Sequence, residues 1–294
     1  MTGPHRSRGR RFLLDYGRVD DIPRSKALYR QLLKYHWEYY SEVAFQRAQI
    51  YDALRNAVRE KATSQFRFEK WQRAVKYRYS LQPLDTTGSL IDPGGRFNVG
   101  TIDPSRYAAF PALYLGYDKK TVIDEIFARD NKGALLTEEE LALSKTASIT
   151  VVSVSGMLES VFDLRDKNSL ADIVQLVKHF HLSGAVVKEA RRLGQSPPKL
   201  VRTVGEVVKT LLDPNWRFFP MQWDVPANPQ IFGQMVMDAG LEGIVYPSVL
   251  TGQPCLAIYP QNFANSASFV EIDDPLPANI VGKRIDASSF VNFI

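Results

Sequence analysis

The chain reads as an α+β domain running from about Lys76 to the C terminus, with a helical extension in front of it. Three observations carry that reading. Ser25 to about Lys61 contains neither proline nor glycine, and its apolar residues recur at helical spacings. From Lys76 the texture changes to short strand-like runs between turn residues. After a helical middle, alternating runs return near the C terminus.

In the extension, Leu28, Leu32, Tyr35, Tyr39, Val43, Ile50, Leu54 and Val58 are three, four or seven apart, which predicts an amphipathic helix broken once. The aromatic group "YHWEYY" on it is read as packing. A short helix is expected around Phe68 to Ala74. Then come the strand-like "VKYRYSL", the turn "DPGG" and the strand "PALYLGY". Lys119 to Arg129 predicts a helix, with Val122, Ile123, Ile126 and Phe127 on one face. "ASITVVSV" alternates as a strand. From about Ser155 to Asp213 the pattern is mainly helical, including "LADIVQLVKHF" and "LVRTVGEVVKTLL", interrupted at "SPP". A helix near Gln230 to Ala239 precedes the strands "GIVYPS", "CLAIYP" and "SFVEI". The implied organisation is a basic arm and helical extension over 1–75 and a domain over 76–294, carrying a largely helical insertion around 155–215.

Residues 1–75 hold 16 Lys and Arg against 8 Asp and Glu, so the formal charge of +5 arises there and the remainder is acidic. These basic residues are not interleaved with aromatics in an RNA- or DNA-binding pattern, which argues against a nucleic-acid binder. The very start reads as a solvated tail. No apolar run approaches the roughly 18 to 20 residues that span a bilayer, and no hydrophobic segment follows the basic start. A cytoplasmic protein with no membrane partner is expected. One cysteine and four histidines encourage neither disulfide nor zinc chemistry, and no metal site is expected.

GxGxxG, GxxxxGK[ST], HExxH and GxSxG are all missing, so dinucleotide dehydrogenases, P-loop NTPases, zincins and ordinary α/β-hydrolases lose support. The residues that stand out are scattered. Arg78 and Tyr79 fall on an expected strand, and Arg96 follows the paired glycines of "DPGGRFNVG". Tyr114 lies on the next strand, Glu125 on the helix after it, and Ser248 behind "GIVYP".

That order of Arg, Glu and Ser resembles the RES-domain proteins, which are named for it. "KYRYS", "GGRFN", "ALYLGYDKKTVIDEI" and "GLEGIVYPSVLTGQPCLAIYPQNF" are similar to the family's blocks, from about Lys76 to Phe263 but excluding most of Ser155 to Asn215. The resemblance implies a mixed β core with flanking helices similar to ADP-ribosyltransferase toxins. It also implies a bacterial toxin, restrained by an antitoxin or immunity protein, that breaks the nicotinamide–ribose bond of NAD and passes ADP-ribose to water, phosphate or a protein. NAD would be the substrate, with no cofactor. A protein mono-ADP-ribosyltransferase, or a non-catalytic module that binds NAD or a partner, are the alternatives.

The residues make that chemistry sensible. An arginine fork matches a diphosphate, which suits Arg78 and Arg96, and Gly94 and Gly95 would let the backbone approach the phosphates. Positive charge builds on the ribose as the bond breaks, so a carboxylate there is stabilising, and Glu125 is the candidate, with Asp124 expected to be solvated. Tyr79 and Tyr114 offer rings and hydroxyls. Ser248 would bind phosphate or orient Glu125. Glu125 and Arg78 are therefore the expected catalytic pair, and Tyr79, Gly95, Arg96, Tyr114 and Ser248 the expected NAD contacts beside Arg78.

Overall fold

A computed structural model describes residues 21–127, 148–275 and 280–294, with side chains from residue 25 onward. The described residues fall into two compact units, one of 21–43 and 182–198 and the other of 44–127, 148–181, 199–275 and 280–294.

In the first unit, the early part of α1 (Asp21–Gln49) packs with α5 (Gly184–Arg192) through buried Tyr35, Val186 and Ala190. Glu42 accepts from both the Ser183 hydroxyl (2.5 Å) and its N–H (2.9 Å), at the residue that caps α5. The expected break in the long helix is at Ile50, where α1 gives way to α2 (Tyr51–Glu60).

Among the described residues the second unit has seven strands: β1 (Ala62–Lys76), β2 (Leu113–Gly116), β3 (Ile149–Asp163), β4 (Gly243–Pro247), β5 (Pro254–Ile258), β6 (Phe269–Ile272) and β7 (Arg284–Asp286). Pairing runs β1-β2-β5-β4-β3-β6-β7, and β1 also pairs along most of β3, so the first five strands close a ring. Among the described strands only β3 and β4 pair in parallel, which makes the sheet mixed and the fold α+β as expected.

Alternation sorts the side chains to two faces. Val245, Leu256 and Ile258 join Leu113, Leu115 and Val270 in one cluster. Their neighbours Ile244, Tyr246, Cys255 and Ala257 join the other, covered by α2, α4 (Ala171–Val177), α6 (Val204–Leu211) and, beyond the short α7 (Phe218–Trp223), α8 (Asn228–Asp238). Tyr51 donates to Asp238 Oδ2 at 2.6 Å, tying α2 to α8. Among the described residues no helix is long and apolar enough to cross a membrane.

The helix expected over Phe68 to Ala74 is instead part of β1. Register against β3 slips by one between Phe68 and Trp71, with Lys70 at φ 55°. This bulge stretches an inward spacing of two to three and so mimics a helical period. Past it, Trp71, Arg73 and Val75 are buried at the strand period. Arg78 and Tyr79 are likewise not on a strand but in a 3-10 turn, Tyr77–Tyr79. The stretch read as a helical insertion divides three ways. Ser155–Asp163 completes β3, α4 and α6 enter the core of the second unit, and 182–198 belongs to the first unit.

Partial burial pushes the His36 imidazole in α1 from 6.5 down to about 4, so the folded chain resists a proton that the unfolded chain accepts. Stability present above pH 6.5 is therefore lost as pH falls toward 4. We expect the melting temperature to drop over that window and the drop to shrink in His36→Gln; an unchanged pH profile in the variant would contradict the assignment.

Candidate functional site

The site begins where β2 ends. Asp118 accepts the Thr121 N–H at 2.7 Å and so starts α3 (Lys119–Phe127), which carries Glu125 beside the turn joining β4 to β5. That turn is closed by Ser248 N–H to Gln253 O (2.8 Å) and Gly252 N–H to Ser248 O (2.9 Å). The buried Ser248 hydroxyl accepts from the N–H groups of Leu250 (3.2 Å) and Thr251 (3.3 Å) and donates to Glu125 Oε1 at 2.7 Å. With both lone-pair directions occupied, the serine is a fixed donor to the carboxylate.

The glycine loop is braced from within. Gly94 has φ +95°, and a Cβ there would come 2.4 Å from Gly100 N. A Cβ on Gly95 would sit 2.3 Å from the Tyr114 hydroxyl oxygen. Asn98 Oδ1 takes the Gly95 N–H (2.9 Å) and the Tyr114 hydroxyl (2.9 Å), while that hydroxyl accepts the Phe97 N–H (2.9 Å). Buried Gln230 Nε2 donates to Pro93 O, Gly95 O and Asn98 O. The space that a side chain would take is filled by the Asn98–Gly100 backbone at Gly94 and by Tyr114 at Gly95, the Gly95 N–H is already bonded, and both glycines line the cleft described next.

A cleft of about 380 Å³ lies between these parts, lined among others by Arg78, Tyr79, Gly95, Tyr114, Glu125 and Arg217. A smaller chamber of about 180 Å³ shares Tyr114, Glu125, Arg217 and Tyr246 with it and adds Arg96 and Trp216. The structure therefore brings all seven expected residues to one place, in unequal roles. Arg78 is exposed, with its guanidinium 4.7 Å from the Tyr79 ring centre. Arg96 is buried, and its Nη1 donates to Leu211 O (3.2 Å) and Asp213 O (2.9 Å). Asp124 is not the solvated acid that was expected: it pairs with Lys120 at 2.7 Å and its side chain is only 10% exposed.

Several wall residues escaped the sequence reading. Arg73 is buried in β1 and donates to the carbonyls of Pro83, Tyr114 (3.3 Å) and Asp85 (2.6 Å). Arg217 lies 4.4 Å from the ring centre of Trp216, outside every block that drew attention; only the adjacent aromatic "NWRFF" signalled it. Tyr246 and Cys255 have their pKa values pushed up, first by burial and then by neighbouring groups that include Glu125. The thiol stays protonated at neutral pH and is no nucleophile. Asp92, at the cleft edge, is also raised, by burial and then by the charge of Asp224.

The sequence profile of the RES domain matches residues 70–279, and the chain belongs to the RES domain family. Among solved structures it is similar, at 14% identity and a TM-score of 0.42, to a chain in the crystal structure of the M. tuberculosis MbcT-MbcA toxin-antitoxin complex. That likeness covers 82% of this chain and 96% of the other. No curated protein matches.

If Gly95 is there to admit Tyr114, then Gly95→Ala overpacks the loop and should cost roughly 1–3 kcal/mol in a urea titration. Gly205→Ala, on α6 with nothing within 4 Å of its Cβ, should be neutral or slightly stabilising. Equal effects at the two positions would refute the close-packing account.

Proposed function

We infer that the protein is an NAD-cleaving toxin, held in check by an antitoxin or immunity protein, that breaks the nicotinamide–ribose bond at the cleft beside Glu125. The observation that carries this reading is the Glu125 carboxylate fixed by Ser248 on the wall of a cleft that also presents arginines and tyrosines. A cavity of about 380 Å³ is in the range of small-molecule sites.

In this mechanism the exposed guanidinium of Arg78, and Arg217, which also lines the cleft, hold the diphosphate by charge-assisted hydrogen bonds. Tyr79 and Tyr114 contribute ring surface against the flat bases and riboses. The bond from ribose C1′ to the pyridinium nitrogen breaks, and both of its electrons go to that nitrogen. Nicotinamide leaves neutral and needs no general acid. Positive charge develops on the ribose and is stabilised by Glu125, whose Oε1 is engaged by Ser248, leaving Oε2 for the substrate. The oxygen of water or phosphate then bonds to C1′, and a water nucleophile loses its proton to the solvent or to Glu125. Arg96 lines the smaller chamber while bracing the end of α6, so its contact with substrate is made with donors other than Nη1.

Incubated with NAD, the wild type should release nicotinamide, and Glu125→Gln should do so about 100-fold more slowly or worse. Chromatography with and without phosphate separates phosphorolysis from hydrolysis through the second product. Equal rates for the two proteins would remove Glu125 from the chemistry. Absence of release by either, with NAD binding retained, would overturn the cleavage reading in favour of a binding module or transfer to a protein acceptor.

A further inference from the structure

Ser248 is not the only hydroxyl that fastens α3 to the β4–β5 turn. One helical turn before Glu125, the fully buried Thr121 places its Oγ1 3.0 Å from Thr251 Oγ1. Thr251 belongs to the same turn as Ser248: its own N–H donates to the serine hydroxyl, and its Oγ1 accepts the Gln253 N–H at 3.3 Å. Helix residues four apart lie on one face. Contacts at 121 and 125 therefore fix both the distance of α3 from the turn and its rotation about its own axis, whereas the Glu125 contact alone would act as a pivot. Gly116 at the end of β2 makes the close seat possible, because a Cβ there would come 2.8 Å from Val122 Cγ1 and 3.2 Å from Thr121 Cγ2.

We propose that Thr121 and Thr251 are positioning residues for Glu125, a hydroxyl latch that holds α3 in the orientation from which the carboxylate works. The kinetic part of the test rests on the NAD-cleavage reading; the structural part does not. Misplacing a reacting group by a fraction of an ångström slows chemistry more than it weakens binding. Thr251→Val, nearly isosteric, should thus lower kcat for nicotinamide release about tenfold or more while KM stays within about twofold. Thr251→Ser, which restores the hydroxyl, should return kcat to within about twofold of wild type. The double variant Thr121→Val with Thr251→Val removes both hydroxyls and leaves neither unsatisfied, and the Gln253 N–H that Thr251 accepted is exposed and passes to water, so thermal stability should be close to wild type. Its kcat should nevertheless stay low, and recovery of kcat along with stability would reduce the pair to ordinary packing and overturn the proposal.

Hydrogen exchange gives the second readout. Amides of α3 should exchange about tenfold faster in Thr251→Val than in wild type, with β5 amides unchanged. Unchanged α3 exchange would overturn the latch whether or not NAD is the substrate. Absence of nicotinamide release by the wild type would sink the functional reading alone and leave exchange to decide the latch.

Discussion

The hydroxyl proton of Ser248 has one place to go, and the candidate site depends on that. Two backbone N–H groups from its own turn fill the oxygen, so the proton is directed at Glu125. This bond anchors one oxygen of a carboxylate on an otherwise ordinary amphipathic helix, because charge-assisted hydrogen bonds are stronger and shorter than neutral ones. A serine with spare lone pairs could equally have accepted from a ligand; this one cannot without breaking its turn.

Sheet register explains why the two residues meet. β5 lies between β2 and β4 and is antiparallel to both. Gly116 at the end of β2 is opposite Cys255, and Pro247 at the end of β4 is opposite Pro254. The exit into α3 and the 248–253 turn therefore lie at the same end of adjacent strands, although Glu125 and Ser248 are 123 residues apart in sequence. A slip of one residue in β5 would turn Leu256 out of its cluster and Cys255 into it, and a slip in β4 would do the same to Val245 and Tyr246. The site geometry is in this sense bound to core burial.

Much of this was legible in the residues. Long periodic stretches such as Ser25 to Lys61, and apolar strands such as "GIVYPS" and "CLAIYP", declare themselves through burial alone, and the Arg, Glu and Ser blocks announced where to look. What stayed hidden depends on events that leave a misleading period or no period at all. The bulge at Glu69 and Lys70 inserts one residue and makes a strand spacing look helical. What packs against the glycine pair was hidden because a missing Cβ does not say what occupies its space; at Gly95 it is the hydroxyl of Tyr114, from a strand that begins 18 residues later. Arg73 and Arg217 were invisible for a different reason: an arginine is a cation in sequence, and only the fold shows which wall it faces.

The arginines around the cleft then divide by solvation. Where water is excluded, a guanidinium must find acceptors inside the protein, since a buried donor left unpaired costs more than its bond returns. Arg73 and Arg96 meet this with main-chain carbonyls and so serve as rivets, one holding the segment around Pro83 and Asp85 to the sheet and one holding the end of α6. Arg78, exposed and resting on the ring of Tyr79, is under no such demand. An anion that binds Arg78 displaces water rather than a structural carbonyl, and the stacked ring already restricts the side chain, which lowers the entropy lost on binding. The buried arginines thus give the cleft its shape, while Arg78 keeps its guanidinium in solvent.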